Sequence, residues 1–456
     1  MSLNVIILAA GKGTRMRSRL PKVLHKIADK PLVEHVVNTA EKLNPSKIVV
    51  VYGHGGELVP TSLSHLNVSW VEQKEQLGTG HAVEQALPLC DDESNVLILY
   101  GDVPLTRLST LKNLYQITSN TGNVGLLTAV LDNPTGYGRI VRDANHKVVR
   151  IVEQKDASEI ELAIKETNTG IVSARKDDLK KWLSRLENKN AQGEFYLTDI
   201  IGLAVADKLE VITEQAEHLW EVAGINNKIQ LADLERRYQL LIAEQLLTDG
   251  ATLRDPARID VRGNLMVGPD VEIDVNCVFE GEVSLGENVK VGPNCIIINS
   301  RIADGVTIKA NSIVENAKIA ARCEIGPFAR IRPDTILDEE VKIGNFVEVK
   351  KTTIATGSKV NHLSYIGDTI MGSNVNIGAG TITCNYDGAN KHLTEIGNNV
   401  FVGSDTQLVA PVKVGDGATI GAGSTITREV PANELTLSRS KQTVIVGWQR
   451  PVKKSR

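Results

Sequence analysis

The feature that most constrains this fold is a short repeat in the second half of the chain. Beyond Gly250, pairs of an aliphatic residue followed by glycine recur, and many lie six residues or a multiple of six apart. The pairs are Val267-Gly268, Leu285-Gly286, Val291-Gly292, Ile325-Gly326, Ile343-Gly344, Ile366-Gly367, Ile377-Gly378, Ile396-Gly397, Val402-Gly403, Val414-Gly415 and Ile420-Gly421. A hexapeptide period is typical of a parallel β-helix, in which three hexapeptides form a triangular coil and the coils stack into a prism. The alternative is a glycine-rich β-sandwich.

One polar stretch interrupts this repeat. The segment "TCNYDGANKHLTE", from Thr383 to Glu395, breaks the period and contains the loop formers Asn385, Asp387 and Gly388. A regular prism with a single polar loop indicates a site built against that loop.

The first half of the chain has a different pattern. Up to about residue 225, stretches such as "KIVVVYG" and "NVLILYGDVP" have the continuous apolar character of buried parallel strands, and they alternate with helical stretches such as "PLVEHVVNTAEKL". This alternation predicts a layered α/β sheet.

A long amphipathic stretch joins the two halves. In "NNKIQLADLERRYQLLIAEQLLTDG", Asn226 or Asn227 can cap the start of a helix and Gly250 can end it. Its apolar residues fall on one helical face and are Leu231, Leu234, Tyr238, Leu241, Ile242 and, at the edge, Leu246. We therefore predict an α/β domain over residues 1–228, a linker helix over 229–250 and a β-helix domain over 251–456.

Composition restricts the partners and the compartment. The formal net charge of -4 gives no electrostatic reason to expect nucleic acid or an anionic membrane as a partner. The five cysteines are scattered without a CxxC pair, which argues against a disulfide framework and against a zinc site. The first apolar run is short and follows no basic segment, so it predicts neither a signal peptide nor a membrane span. We expect a cytoplasmic protein.

The stretch "VIILAAGKGTRM" near the N-terminus predicts a phosphate-binding loop. A buried strand ends at Leu8, and the next residues include two glycines beside Lys12 and Arg15. Bare backbone N–H groups flanked by cations are suited to phosphates. The stretch lacks the Gly-Lys-Ser/Thr of a Walker motif, and Met16 occupies the place of the third glycine of a dinucleotide fingerprint.

This loop also carries a family resemblance. Leu8 to Met16, followed by Pro21-Lys22, resembles the signature of the sugar-nucleotide pyrophosphorylases. Further matching stretches follow in chain order: "VEQKEQLGTGHA", "LILYGDVP", "PTGYGRIV", "IVEQKD", "ETNTGI" and "VAGINN". With the hexapeptide half, the whole chain resembles the bacterial bifunctional N-acetylglucosamine-1-phosphate uridyltransferases and glucosamine-1-phosphate N-acetyltransferases. The resemblance implies a Rossmann-like nucleotidyltransferase domain, a left-handed parallel β-helix, a homotrimer and synthesis of UDP-N-acetylglucosamine for peptidoglycan and lipopolysaccharide.

For the first half, the resemblance implies Mg²⁺-dependent uridyl transfer from UTP to N-acetylglucosamine 1-phosphate. It assigns Arg15 and Lys22 to the phosphates and to catalysis, and it assigns Asp102 and Asn226 to the metal. Hard oxygen ligands of this kind suit magnesium. The residues expected to bind the nucleotide and sugar are Leu8, Ala9, Ala10, Gly11, Lys22, Gln73, Gly78, Thr79, Tyr100, Gly101, Asp102, Gly138, Glu153, Asn168 and Asn226. Among them, the resemblance gives uracil to Gln73, Gly78 and Thr79, and the sugar to Gly138, Glu153 and Asn168.

For the second half, the resemblance implies transfer of an acetyl group from acetyl-CoA to glucosamine 1-phosphate. The amine must lose a proton, and His362 matches the general base of the family. Arg332 and Lys350 would bind the substrate phosphate, while Tyr365 and Asn376 would line the sugar site. The residues expected to contact acetyl-CoA are Ala379, Asn385, Tyr386, Ser404, Ala422 and Arg439.

Each of these assignments has a structural alternative. Asp102 can simply close a turn, Lys22 can be a surface lysine, Asn226 can be only a helix cap, and Glu153 can be a solvated carboxylate. The small coenzyme A residues can be corner packing, and a lone histidine such as His362 is usually structural. The terminal "RPVKKSR" can be a solvated tail or can attract the acidic coenzyme.

Two other functions are open for the whole chain. One is a pyrophosphorylase whose β-helix only forms oligomers. The other is a non-enzymatic scaffold, since some translation exchange-factor subunits join the same two modules. A scaffold of that kind is not expected to keep Arg15, Lys22 and Asp102 together.

Overall fold

The computed structural model describes residues 1–453. The chain forms two compact units that divide between Tyr238 and Gln239.

The first unit is built on a nine-stranded mixed sheet and a separate two-stranded ribbon. In chain order the strands are β1 (Leu3–Leu8), β2 (Lys26–Ile27), β3 (Lys30–Pro31), β4 (Lys47–Tyr52), β5 (Ser69–Glu72), β6 (Asn95–Tyr100), β7 (Val124–Val130), β8 (Arg139–Arg142), β9 (Val148–Val152), β10 (Glu166–Arg175) and β11 (Val211–Gln215). The helices are α1 (Leu32–Glu41), α2 (Leu58–Ser62), α3 (Thr79–Ala86), α4 (Leu108–Thr121), α5 (Glu159–Leu162), α6 (Lys176–Leu183) and α7 (Asp199–Ala206), and α8 (Lys228–Thr248) begins in this unit and ends in the second.

The strand order of the main path is β11-β7-β10-β6-β1-β4-β5, with β8 and β9 attached beside β10. The predicted parallel strands are confirmed, since β1 pairs in parallel with both β4 and β6. However, β10 runs antiparallel to β6 and β7, so the sheet is mixed. A continuous apolar pattern shows that a strand is buried on both faces but does not show its direction.

The central strand β1 is buried along its whole length because both faces of the sheet are covered. Ile6 and Leu8 belong to one apolar cluster, whereas Val5 and Ile7 belong to another, as the two-residue period of a strand requires. The carboxyl ends of β1, β4 and β6 meet at one edge of the sheet, which is where open α/β sheets bind ligands.

Helix α8 begins after Asn227 and crosses the boundary between the units. The Asn227 side chain accepts a hydrogen bond from the backbone N–H of Gln230 at 2.9 Å. Asn227, and not Asn226, is therefore the residue that caps this helix. Gly250 follows the helix end with φ +99°, as expected for a glycine that terminates a helix.

The second unit is a left-handed parallel β-helix. An 11-stranded sheet forms one side. Its strands are Thr252–Leu253, Glu272–Ile273, Lys290–Val291, Thr307–Ile308, Glu324–Ile325, Lys342–Asn345, Lys359–His362, Asn376–Ile377, Phe401–Val402, Thr419–Ile420 and Leu435–Thr436.

A 15-stranded sheet covers the other sides of the coils. Its strands are Ile259–Val267, Cys277–Leu285, Ile296–Ile298, Arg301–Ile302, Ile313–Glu315, Ala317–Ile319, Arg330–Ile331, Thr335–Leu337, Glu348–Ile354, Tyr365–Met371, Ile382–Cys384, Thr394–Ile396, Gln407–Val409, Val412–Val414 and Thr425–Ile426.

The coil length follows from the hexapeptide period. Ile308 pairs with Ile325, and Ile325 pairs with Ile343, so the same inward position recurs after one coil. All three side chains are buried in a single apolar core. Asn294 and Asn311 occupy corners with φ +59°, a left-handed conformation that asparagine tolerates better than most residues.

The predicted interruption is also found in the structure. Ile377 pairs with Val402, so this one coil is longer than its neighbours. The additional residues form a loop closed by a 2.8 Å hydrogen bond from the His392 N–H to the Asn385 carbonyl. Inside the loop, the Asp387 carboxylate accepts hydrogen bonds from the N–H groups of Ala389 and Asn390.

All five cysteines are free thiols. Within residues 1–453, no helix is both long enough and apolar enough to cross a membrane.

Candidate active sites

The first site is a cavity of about 440 Å³ at the carboxyl edge of β1 and β6. Most of the residues predicted to bind the nucleotide line it, and Lys12, Gln76 and Glu194 join them. The full lining is Leu8, Ala9, Ala10, Gly11, Lys12, Lys22, Val23, Gln73, Gln76, Gly78, Thr79, Ala82, Tyr100, Asp102 and Glu194. Gln76 lies within the motif "VEQKEQLGTGHA", but the sequence assigned it no role, and Glu194 lies outside all of the recognised motifs.

The loop after β1 is folded tightly against Lys22. Gly13 has φ +59°, and a Cβ on Gly13 would lie 2.7 Å from the Lys22 Cβ. A side chain at position 13 would therefore require the loop or Lys22 to shift.

A charged cluster occupies one end of this cavity. The Lys22 ammonium forms an ion pair with the Asp102 carboxylate and donates a 3.2 Å hydrogen bond to Asn226 Oδ1. The Arg15 guanidinium donates to the same Asn226 oxygen at 3.0 Å. The Ile225 N–H donates to the Asp102 carbonyl at 2.9 Å, which joins the two segments that carry these oxygens.

These contacts argue against purely structural roles for Lys22, Asp102 and Asn226. The Lys22 side chain is only 13% exposed and the Asp102 side chain 16%, so neither is an ordinary surface group. Asn226 is free of the capping role that Asn227 performs. The four residues therefore form one cluster in which two oxygens converge on a cation.

The wall predicted to contact uracil is held by hydrogen bonds. Gln73 is buried, and its amide nitrogen donates to the Gly78 carbonyl at 3.0 Å. Gly78 has φ +117°, and a Cβ there would lie 2.6 Å from the Phe195 carbonyl oxygen, so only glycine fits. Thr79 begins α3, and its hydroxyl accepts from the Leu197 N–H at 3.0 Å.

The residues predicted to hold the sugar lie together beside Tyr100, next to this cavity. The Asn168 N–H donates to the Gly138 carbonyl at 2.9 Å, and a Cβ on Gly138 would be 3.5 Å from the Glu153 carboxylate. The Thr198 hydroxyl donates to Glu153 at 3.0 Å, and burial raises the pKa of Glu153. Glu153 is therefore a partly buried carboxylate with a fixed partner. Gly101 follows β6 directly, and its N–H donates to the Leu8 carbonyl at 2.9 Å.

The second site is on the β-helix and contains a group of cations. Arg332 donates to Glu348 at 2.6 Å, and the ammonium of Lys391 beside Lys350 lowers the pKa of Lys350. Positive groups that crowd together in this way favour an anion between them. Sequence reasoning missed Lys391, although it is the one lysine of the interrupting segment.

Polar side chains next to these cations form a second group. The Asn385 amide nitrogen donates to the buried Asp368 carboxylate and lies 3.4 Å from the Tyr365 hydroxyl. Tyr386 follows on the loop, with its hydroxyl bonded to the Gly388 carbonyl at 2.6 Å.

The predicted base, His362, is exposed at the end of its strand. Asn345 Oδ1 lies 3.0 Å from its Nδ1. With the amide oxygen facing the ring, Nδ1 is the donor, and in the neutral form of the imidazole the lone pair is then on Nε2. Leu363 has a left-handed backbone conformation, with φ +46°, and forms the corner between the strand of His362 and the strand that begins at Tyr365. Within one chain, His362 and the cations therefore lie on two sides of one corner.

The predicted coenzyme A residues form a column along successive coils. The Ala379 carbonyl accepts from the Asp405 N–H, the Ser404 carbonyl accepts from the Gly423 N–H, and the Ala422 carbonyl accepts from the Arg439 guanidinium at 2.7 Å. The column starts near His362, because the adjacent strands pair Val360 with Ile377. Asn376 begins the latter strand. The same stacking satisfies ordinary corner packing, so geometry alone fits both interpretations. Of the predicted tail, Lys454 to Arg456 lie outside the described residues.

Three family models match parts of the chain. The MobA-like NTP transferase domain matches residues 5–154, the GMPPB C-terminal domain matches residues 261–345, and the bacterial transferase hexapeptide model matches residues 393–428. Among solved structures, UDP-glucose pyrophosphorylase complexed with UDP-glucose aligns with 52% of this chain and 98% of its own, at 19% identity and a TM-score of 0.43, which is too distant to carry an argument.

Curated relatives match almost the entire chain. The "Bifunctional protein GlmU" of Marinobacter nauticus is 58% identical over 451 residues, with 99% of both chains covered. The protein of the same name from Janthinobacterium sp. is 57% identical over 451 residues with the same coverage, and that from Cupriavidus pinatubonensis is 56% identical over 454 residues with both chains fully covered. The chain therefore belongs to the GlmU family of bifunctional proteins, and it combines a nucleotidyltransferase domain with a hexapeptide-repeat acetyltransferase domain.

Proposed function

We propose that this chain catalyses two consecutive steps of UDP-N-acetylglucosamine synthesis with the residues described above. The β-helix acetylates the amine of glucosamine 1-phosphate with acetyl-CoA. The N-terminal domain then transfers a uridyl group from UTP to N-acetylglucosamine 1-phosphate and releases pyrophosphate. The observation that carries this proposal is that one GlmU-family chain holds a cation–oxygen cluster in one unit and, in the other, His362 at a β-helix corner whose second side carries Arg332, Lys350 and Lys391.

In uridyl transfer, a sugar phosphate oxygen attacks the α-phosphorus of UTP while the bond to pyrophosphate breaks. Most of the barrier is charge and positioning. Arg15 and Lys22 stabilise the phosphate oxygens, and Gly138, Glu153 and Asn168 hold the sugar.

The oxygens of Asp102 and Asn226 fit a magnesium ion. Both converge on the Lys22 ammonium, so their positions suit a cation, and both are hard ligands. Bound there, Mg²⁺ would neutralise phosphate charge. Lys22 would then release the two oxygens and turn toward the phosphates.

In acetyl transfer, the substrate amine forms a bond to the thioester carbonyl carbon, and the carbon–sulfur bond breaks. His362 Nε2 takes the proton that leaves the amine and can return it to the departing thiolate. Arg332, Lys350 and Lys391 hold the phosphate of the sugar, with Tyr365 and Asn376 beside the ring. Acetyl-CoA lies along Ala379, Ser404, Ala422 and Arg439, next to Asn385 and Tyr386.

The proposed assembly is a homotrimer with a coenzyme site shared between neighbouring prisms. Flat β-helix sides pack readily on copies of themselves, and closed symmetry avoids open fibres. Five free thiols suit the reduced cytoplasm, where we place both reactions. Small molecules are the proposed substrates, with neither nucleic acid nor membrane as a partner.

Two assays on the purified chain test this function. Thiol release from acetyl-CoA with glucosamine 1-phosphate reports the first step, and pyrophosphate release from UTP with N-acetylglucosamine 1-phosphate reports the second. Both activities are expected. Pyrophosphate release alone would indicate a pyrophosphorylase with an oligomerising β-helix, and the absence of both activities would indicate a scaffold.

A further inference from the structure

A buried carboxylate that the proposed mechanism does not use lies beneath the second site. The Asp368 side chain is only 7% exposed, and Lys351 Nζ lies 3.6 Å from Oδ1. Its other oxygen accepts a hydrogen bond from the Asn385 amide nitrogen. Asn385 is itself buried at the base of the interrupting loop.

This contact fixes the orientation of the Asn385 amide. An ionised carboxylate can only accept hydrogen bonds, so the amide nitrogen must face Asp368. The same nitrogen lies 3.4 Å from the Tyr365 hydroxyl. The amide oxygen therefore faces away from Asp368 and is available as an acceptor.

We infer that Asp368 is a positioning residue for acetyl transfer, and that it turns Asn385 Oδ1 toward an N–H of the amino sugar. The inference rests on the proposed function of the β-helix. Two residues assigned to the substrate interact with Asp368 and Asn385. The Tyr365 hydroxyl, assigned to the sugar, lies 3.4 Å from the Asn385 amide nitrogen, and the Asp368 carboxylate interacts electrostatically with Lys350, assigned to the phosphate. An acceptor at this point holds the amine by its hydrogens and leaves the nitrogen lone pair directed at the thioester.

The backbone conformation at position 368 does not by itself require an aspartate. Asp368 has φ +47°, and the same corner of earlier coils carries Asn316, Asp334 and Lys351 with φ of +46°, +61° and +46°. The corner therefore tolerates several residue types. Across residues 1–453, the Asp334 carboxylate makes no hydrogen bond or ion pair, whereas that of Asp368 makes both.

The variant Asp368→Asn tests the inference in the full-length chain. Asparagine has the same shape and tolerates left-handed φ, so the coil should fold normally. Its amide can donate to Asn385 Oδ1 and so permits the inverted orientation. We expect kcat/KM for glucosamine 1-phosphate to fall about 10- to 100-fold, the range for loss of a hydrogen bond to a charged group. The rate of uridyl transfer, which takes place in the other unit, should stay close to wild type.

Asp334→Asn is the matched control, since it makes the same change at the same corner of another coil. It should acetylate at the wild-type rate. If Asp334→Asn lost as much activity as Asp368→Asn, the inference would be overturned, because the loss would then come from changing an aspartate at this corner of any coil and not from the contact with Asn385. Wild-type kinetics for Asp368→Asn would overturn it as well.

A double-mutant cycle separates positioning from general stabilisation. If Asp368 acts through Asn385, then Asp368→Asn should change kcat/KM by less than about 2-fold in an Asn385→Ala background, since coupled residues are not additive. Multiplicative losses would overturn the inference. Failure of the wild-type chain to release thiol from acetyl-CoA would instead overturn the proposed function, so the two failures are distinguishable.

Discussion

Adjacent residues of the same type perform different tasks in this chain. Asn226 and Asn227 are neighbours, yet Asn227 caps α8 while Asn226 accepts hydrogen bonds from Arg15 and Lys22. The motif "VAGINN" predicted a polar contribution at this point, but a helix start and a ligand position look alike in sequence. Only the backbone path decides which side chain reaches Arg15 and Lys22.

At the same scale, residues in recognisable motifs were predicted and residues outside them were not. Lys22 and Asp102 belong to a known signature, and the structure brings them together. Lys391 and Asp368 interact with residues that are distant in the chain, Lys350 and Asn385, so no local spacing indicates them.

The charge of Lys350 should make substrate binding depend on pH. The Lys391 ammonium lowers the pKa of Lys350 below the ordinary lysine value of 10.5, so Lys350 loses its proton earlier as the pH rises. Since the protonated form binds phosphate, the KM for glucosamine 1-phosphate should increase as the pH rises through this lowered pKa. The measurement is KM from about pH 7 to pH 9, where an ordinary lysine is still almost fully protonated.

Lys350→Arg is the informative variant, because a guanidinium does not titrate in this range. Its KM should be flatter across the same interval, and Lys318→Arg, an exposed site elsewhere, should behave as wild type. An equally steep alkaline increase in Lys350→Arg would exclude Lys350 as its origin.

Among the structural elements, the β-helix was the most predictable because its period is imposed by geometry. Each coil returns an aliphatic residue to the same inward position, so the repeat directly identifies buried residues such as Ile325 and Ile343. The mixed sheet was less predictable, because hydrophobicity does not encode the antiparallel direction of β10. The interrupting loop was placed by its broken period, but its internal hydrogen bonds were not foreseeable from composition.

The interrupting loop should lose function when its internal carboxylate is removed. The N–H of Asn390, the ring of His392 and the N–H of Ala389 hold the pKa of Asp387 well below its usual range. The ionised carboxylate thus stabilises the loop above the ordinary carboxyl pKa, and this contribution is lost only as the pH falls through the lowered pKa.

Asp387→Ala should therefore raise the KM for both acetyl-transfer substrates several-fold, since Tyr386 and Lys391 lose their fixed positions. Asp387→Asn keeps an acceptor for the backbone and should be intermediate. Steady-state kinetics of both variants check this, with uridyl transfer as the internal control. Unchanged acetyl-transfer kinetics in Asp387→Ala would show that loop order is not required.

For the whole molecule, the two activities should differ in their need for metal. Asp102 and Asn226 present oxygens to the Lys22 ammonium at the proposed uridyl-transfer site, whereas the proposed acetyl transfer develops no phosphate charge. EDTA should therefore abolish pyrophosphate release and leave thiol release intact, and added Mg²⁺ should restore the former. Loss of thiol release on chelation would contradict the separation.

The units should also function as separate fragments. Ala243 and Leu246 belong to the β-helix core, and Gln239 exchanges two hydrogen bonds with the backbone of Val261, at 2.9 and 2.8 Å. A fragment from Gln239 should therefore be more stable to heat than one from Ala251, and it should be a trimer that acetylates glucosamine 1-phosphate. A fragment ending at Gly250 should retain uridyl transfer as a monomer. Light scattering that shows an active monomeric β-helix fragment would exclude the shared coenzyme site.

Two independent active sites in one chain are tested most directly by measuring both activities in Asp102→Ala and in His362→Ala. Asp102→Ala should lower uridyl transfer by at least ~100-fold, as expected for loss of a strong electrostatic stabiliser, and leave acetyl transfer nearly unchanged. His362→Ala should lower acetyl transfer by about 10²- to 10⁴-fold, the contribution of a general base, and leave uridyl transfer nearly unchanged. If either variant keeps the wild-type unfolding temperature but loses both activities to the same extent, the chain does not contain two separate sites.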